Sequence, residues 1–123
     1  MDDAGRLLLV RRGRAPAKGT WSVPGGRVEA GETDPEATAR EVLEETALDV
    51  EVGALAGSVE RDAPGGAVYV IRDYLCHPAR DADPSAVRAG DDADDAAWFT
   101  PEEVRRLDTS PGLVDALVEW GVL

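Results

Sequence analysis

The chain has 123 residues, enough for one domain with a buried core, and carries a formal charge of −12. That charge opposes binding to nucleic acid or to an anionic membrane surface, since both rely on basic faces. No apolar run approaches membrane-spanning length, the start MDDAGR lacks a basic-then-apolar leader, and the single cysteine, Cys76, cannot close an internal disulfide. These features fit a cytoplasmic protein. The charge is unevenly spread, with a balance of +4 over residues 1–27 and −16 over the remainder. A basic segment beside an acidic, cation-binding one can attract a phosphate chain, because bound cations invert the local field. The plainer reading is that these Arg and Lys residues only keep a strand and a loop in solution.

Residues 6–12, RLLLVRR, read as a strand, and the unbroken apolar run Leu7 to Val10 predicts cover on both faces. Gly13 to Thr20 is a loop marked by Gly, Pro and Lys. Trp21-Ser22-Val23 is a short strand entering the turn Pro24-Gly25-Gly26. Thr33 followed by Glu36 has the form of a capping box, which makes Thr33 an N-cap and puts Pro35 in the first helical turn. The helix runs to about Thr46. At 100° per residue, Ala39, Val42, Leu43 and Thr46 share one face, while Glu41, Glu44 and Glu45 gather nearly opposite. Such carboxylates repel one another by a few tenths of a kcal/mol per pair. A helix keeps that face because it is merely solvated, or because a cation sits on it.

The spacing around this helix decides between the two. Gly26, five residues, Glu32, seven residues and then Arg40-Glu41-Val42-Leu43-Glu44-Glu45-Thr46-Ala47-Leu48 resembles the Nudix box, with eight of its nine specified positions matched. Ala47 stands where the family has Gly. A glycine past a helix end serves positive φ, so Ala there costs about 1 kcal/mol and weakens the C-cap without touching the carboxylates.

Beyond the helix, residues 49–60 look like a strand with an irregularity at Gly53 or Gly57. Pro64-Gly65-Gly66 is a turn, and residues 67–76, AVYVIRDYLC, form a strand that pairs back as a hairpin. Cys76 reads as a small core residue and His77 as a strand-end surface residue. Residues 78–95 form a long, Asp-rich loop, which the bland reading leaves solvated. Residues 96–99 make a short strand, and Thr100-Pro101-Glu102-Glu103 opens a helix to about Leu107. Ser110-Pro111 caps a last helix with Leu113, Val114, Leu117 and Val118 on one face. Trp21, Tyr69, Tyr74, Trp98 and Phe99 are candidates to stack a base, although core packing accounts for each more simply.

The resemblance covers nearly the whole chain and implies a single α/β domain over residues 1–123, a mixed β-sheet sandwiched between helices. The usual first strand is missing: MDDAG looks like the turn leading out of it, so either the start is truncated or the sheet exposes an edge. The resemblance further implies a hydrolase that cleaves the pyrophosphate linkage of a nucleoside diphosphate joined to a group X, with Mg²⁺ or Mn²⁺ as cofactor. Glu41, Glu44 and Glu45 would be the metal face, with the Gly25 carbonyl as a further ligand. Arg40 and Glu32 would hold the loop against the helix, and Glu41 is the first choice of general base. A loop acid some six residues before a strand Trp assists in relatives, and Asp92 stands there relative to Trp98, with Asp91 and Asp95 beside it. Gly26, Arg12 and Arg27 would bind substrate phosphates.

The stretches YVIRDYLC, RAGDDADDAAWF and TPEEV resemble the small bacterial branch called ADP-ribose pyrophosphatase-like, which favours ADP-ribose or a nucleotide sugar. A house-cleaning (d)NTP pyrophosphohydrolase is the alternative. A non-catalytic nucleotide-sugar-binding module is the alternative of another class, and lost box carboxylates would mark it. A small-molecule nucleotide is the expected partner, without nucleic acid or membrane, and a homodimer is possible through a bare sheet edge.

Overall fold

A computed structural model of the chain describes residues 1–14, 17–25, 28–62 and 64–123. Its elements are β1 (Leu7–Arg12), β2 (Trp21–Ser22), α1 (Asp34–Thr46), β3 (Val50–Asp62), β4 (Val68–Pro78), β5 (Ala93–Phe99), α2 (Pro101–Arg106) and α3 (Leu113–Glu119). Short 3-10 turns occupy Pro64–Gly66 and Pro84–Ala86.

β1 lies at the centre of a three-stranded antiparallel sheet in the order β2-β1-β5. Its pairing with β5 runs from Leu7 opposite Phe99 to Arg12 opposite Ala93, with a register shift at Arg11/Arg12. Strand periodicity sends Leu7 and Leu9 to one face, where they form the core cluster with Val104 of α2 and Leu117 of α3. Trp21 and Phe99 pack edge to face beside this cluster, 4.9 Å between centroids, which makes both core aromatics. Val10 and Ala96, a directly opposed pair, are also buried, while Leu8 is half-buried. Leu7, Leu9 and Val10 of the apolar run are thus buried, as its lack of alternation predicts, while Leu8 is only partly covered.

β3 and β4 form a hairpin of their own, with register shifts between Val52 and Gly57, where the two glycines predict an irregularity. The strands therefore divide into two antiparallel sheets. The parallel contact among the described residues is a bridge between Trp21 and Thr109. A groove of about 840 Å³, lined by Leu7 and Leu8 on one side and Val70, Ile71 and Leu75 on the other, separates the sheets. The Met1 amine reaches across to donate to the Cys76 carbonyl of β4. Cys76 itself is half-buried, and the exposed His77 pairs with Glu51 at 2.7 Å.

Two predicted boundaries shift. β5 begins at Ala93 rather than residue 96, so the Asp-rich loop is shorter and Asp94 and Asp95 belong to the strand. Helix α3 is capped by Gly112, at φ 82° and without a side-chain bond, and Ser110 is not its cap. Ser110 is engaged elsewhere: its N–H donates to the Trp21 carbonyl and its hydroxyl meets that of Thr20 at 3.1 Å. That ties the segment to β2 and delays the helix.

Candidate metal and active site

Helix α1 begins as its sequence demands. Thr33 accepts from the Glu36 N–H, Glu36 reaches back to the Thr33 N–H, and Pro35 sits in the first turn. Its C-cap, Ala47, adopts φ 60°, ψ 16°, the left-handed conformation that glycine supplies at no steric cost. Leu48 beyond it is buried and anchors the exit.

The buried stripe of α1 is Ala37, Val42 and Thr46, while Leu43, predicted on that stripe, is 50% exposed. The helix is rotated so that Glu45 turns inward in its place. The Glu45 carboxylate accepts from the Gly25 N–H at 2.8 Å, so the loop before the helix is pinned to its last turn. Burial pushes its pKa up to about 7; the Gly25 bond and the Arg12 charge oppose this, and the charges of Glu41 and Asp92 add to it.

Arg40 organises the other acids. Its Nε and Nη2 donate to the two oxygens of Glu32 at 2.7 and 3.0 Å, a bidentate pair. Its Nη1 donates to Glu41 at 2.9 Å and to Glu44 at 3.2 Å, and lies 3.7 Å from Glu29. The Glu32 bond raises the Arg40 pKa and holds the Glu32 carboxyl below the usual range, so both ions persist across ordinary pH. Glu32 also accepts from the Glu29 N–H at 2.8 Å. These bonds tie Glu32 of the loop to Arg40 of the helix.

The segment after β4 completes the site. Arg88 and Gly90 donate their N–H groups to the Thr46 and Glu45 carbonyls, both at 2.9 Å, and so satisfy carbonyls at the end of α1. Glu41, Glu44 and Glu45 then share a cavity of about 310 Å³ with Gly90, Asp91, Asp92 and Ala93. Asp92, the predicted loop acid, lies on this cavity and pairs with Arg14 at 3.1 Å. Asp95 does not line it: within β5 its carboxylate accepts from the adjacent Ala96 N–H.

The donor set suits a hard divalent cation, since five carboxylates face one cavity and no softer ligand is among its lining residues. Among the described residues, no three acidic, His or Cys side chains converge on one point as they stand. The reason is visible, because Arg40 holds Glu41 and Glu44 and the Gly25 amide holds Glu45. A cation would take these carboxylates over from partners within the protein.

Arg12, at the end of β1, exerts its charge on Glu45, so it stands beside this face. Gly26 and Arg27, the other expected substrate-binding residues, lie outside the described residues. The remaining aromatic candidates are occupied or peripheral: Trp98 donates to the Pro84 carbonyl, Tyr74 donates to Asp34 and Tyr69 is about half exposed. Sequence reasoning passed over Gly90. Its signal was a glycine directly before the acids of RAGDDADD.

The model of the NUDIX domain family matches residues 1–119, and the chain belongs to that family. It is 36% identical over 105 residues to an ADP-ribose pyrophosphatase of Methanocaldococcus jannaschii, covering 83% of this chain and 59% of that protein. It is 38% identical over 100 residues to a MutT-like protein of Streptomyces ambofaciens, covering 81% and 58% respectively. The chain thus spans under two thirds of the length of these curated relatives. The crystal structure of a MutT NUDIX hydrolase from Burkholderia pseudomallei superimposes with a TM-score of 0.73 at 30% identity, covering 93% of this chain and 87% of that one.

Proposed function

We propose that this chain is a divalent-metal-dependent hydrolase of the pyrophosphate linkage in a nucleoside diphosphate joined to a further group, with ADP-ribose or a nucleotide sugar favoured. The observation that carries the reading is the gathering of Glu41, Glu44 and Glu45 from α1 and Asp91 and Asp92 from the loop around one cavity. Two adjacent phosphates deter an attacking water by their charge; Mg²⁺, or Mn²⁺ in its place, supplies charge neutralisation, polarisation of P–O and activation of that water.

The residues that would hold the ion are Glu41, Glu44 and Glu45, with the Gly25 carbonyl. Glu41 takes the proton from water as general base, and Asp92 orients that water. Arg40 acts through the carboxylates it holds, with Glu32 fixing its own plane. Arg12, Gly26 and Arg27 bind the phosphates. The name of the M. jannaschii relative supports ADP-ribose. The MutT-like names favour the second reading, a (d)NTP pyrophosphohydrolase. All the box carboxylates are present, which counts against a module that only binds. No helix among the described residues is long and apolar enough to cross a membrane, and the proposed setting is cytoplasmic.

The test is turnover of ADP-ribose, nucleotide sugars, dinucleoside polyphosphates and (d)NTPs with Mg²⁺ in H₂¹⁸O. The label should enter a phosphate product of one class. Absence of metal-dependent hydrolysis across the panel overturns the reading.

A further inference from the structure

We infer that Gly90 is a positioning residue that sets how closely the loop carboxylates Asp91 and Asp92 approach the carboxylate face of α1; this rests on the function proposed above. A Cβ at Gly90 would stand 2.3 Å from the Glu44 carbonyl oxygen, and 3.2 Å from both the Glu44 carbonyl carbon and the Glu45 Cα. Those atoms are helix backbone and cannot rotate aside. The glycine is not required by conformation, since its φ lies outside the left-handed region. It is required by approach: the Gly90 N–H closes on the Glu45 carbonyl at 2.9 Å only because no side chain intervenes.

The same loop is held from its other side. The Gly13 N–H at the end of β1 donates to the Asp92 carbonyl at 3.2 Å. A Cβ at Gly13 would meet that carbonyl at 3.1 Å and the Asp94 Oδ1 at 2.9 Å, a milder conflict because one of the two is a movable carboxylate tip. Residues 90–92 are therefore clamped between the end of α1 and the end of β1. The clamp brings acids some 50 residues apart in the chain to one cavity. Any side chain at position 90 lifts Asp91 and Asp92 away from Glu41, Glu44 and Glu45, and a displacement of about 1 Å is enough to cost about 100-fold in rate.

The test is a double-mutant cycle read by Mn²⁺ binding, followed by calorimetry, alongside turnover. Gly90→Ala in the otherwise unaltered chain should weaken Mn²⁺ binding by about 10-fold, because it moves two carboxylate charges away from the ion that Glu41, Glu44 and Glu45 would hold. In the Asp91→Asn/Asp92→Asn background the same substitution should change Mn²⁺ binding by less than about 2-fold, because the groups it displaces no longer carry charge. Gly13→Ala, the gentler push on the same loop, should act in the same direction with smaller size, and carries the test if Gly90→Ala does not fold. Unchanged Mn²⁺ affinity in the single variants overturns the inference, as does an equal loss in both backgrounds. Failure of the function itself looks different: the unsubstituted chain would then neither bind Mn²⁺ nor turn over the panel.

Discussion

At the residue scale, the carboxylates of α1 differ in environment although they share a face. Glu44 is 58% exposed and ion-paired, whereas Glu45 is half-buried against the Gly25 amide. Glu44→Gln and Glu45→Gln are each expected to lower kcat by at least about 100-fold at saturating Mg²⁺ with the fold intact, because charge stabilisation dominates such barriers. Near-normal turnover in either variant, by initial-rate kinetics, removes that residue from the metal face. Glu45 also makes a pH prediction. Its pKa rises from 4.5 to about 7 on folding, so between these values the folded state binds more protons than the unfolded one. Its burden on stability is absent below pH 4.5 and grows as pH rises through about 7. In EDTA, urea unfolding should show Glu45→Gln gaining on the parent by on the order of 1–2 kcal/mol between pH 5 and pH 8, after discounting for residual solvent. Mn²⁺ affinity should fall below about pH 7, where the ion must displace that proton.

At the scale of elements, α1 shows what local sequence can settle. Its start is written in Thr33, Pro35 and Glu36, and the structure forms that capping box. Its end is a compromise. Ala47 holds φ 60°, so Ala47→Gly should stabilise the fold by about 1 kcal/mol, measured as the shift in urea midpoint at constant m-value. A neutral or destabilising result would mean that the entropy glycine adds to the unfolded chain outweighs the relieved strain. The rotation of α1 was not legible in the same way. Counting at 100° per residue puts Leu43 on the apolar stripe, yet Leu43 is exposed and Glu45 turned in. Periodicity ranks side chains by their own hydrophobicity. The helix instead settled where Gly25 could bond Glu45 and where Arg88 and Gly90 could reach its final carbonyls. The strand from residue 93 was likewise hidden, because Asp94 and Asp95 lack β-propensity and the strand's extension rests on the pairing of Asp95 with Arg11 and of Ala93 with Arg12 across the register shift.

At the scale of the whole molecule, the division into two sheets has a consequence. Among the described residues, Leu7 to Leu9 pair on one side only, with β5, and β4 pairs only with β3. Val68, Tyr69, Val70, Ile71 and Leu75 of β4 are each more than 40% exposed. Open edges with apolar side chains favour association. The chain is expected to self-associate as its concentration rises, and Val70→Lys should shift it toward monomer in light scattering while changing stability by no more than about 0.5 kcal/mol. A monomer at all concentrations, with the variant indistinguishable, rejects this. The sequence by itself determined the box: Glu32, Arg40, Glu41, Glu44 and Glu45 lie within one loop and helix, where spacing alone dictates which side chains meet. It also determined the capping boxes at Thr33 and Thr100 and the strand that buries Leu7, Leu9 and Val10, all products of neighbours in the chain. The family resemblance points to Asp92, with Asp91 and Asp95 beside it, but only the tertiary structure decided that Asp91 and not Asp95 would join it against that helix, that Arg14 would hold Asp92, and that Gly90 would rest on the Glu44 carbonyl. Those contacts join residues far apart in sequence. Their distances are set by how the end of β1 and the end of α1 pack, which no local pattern encodes.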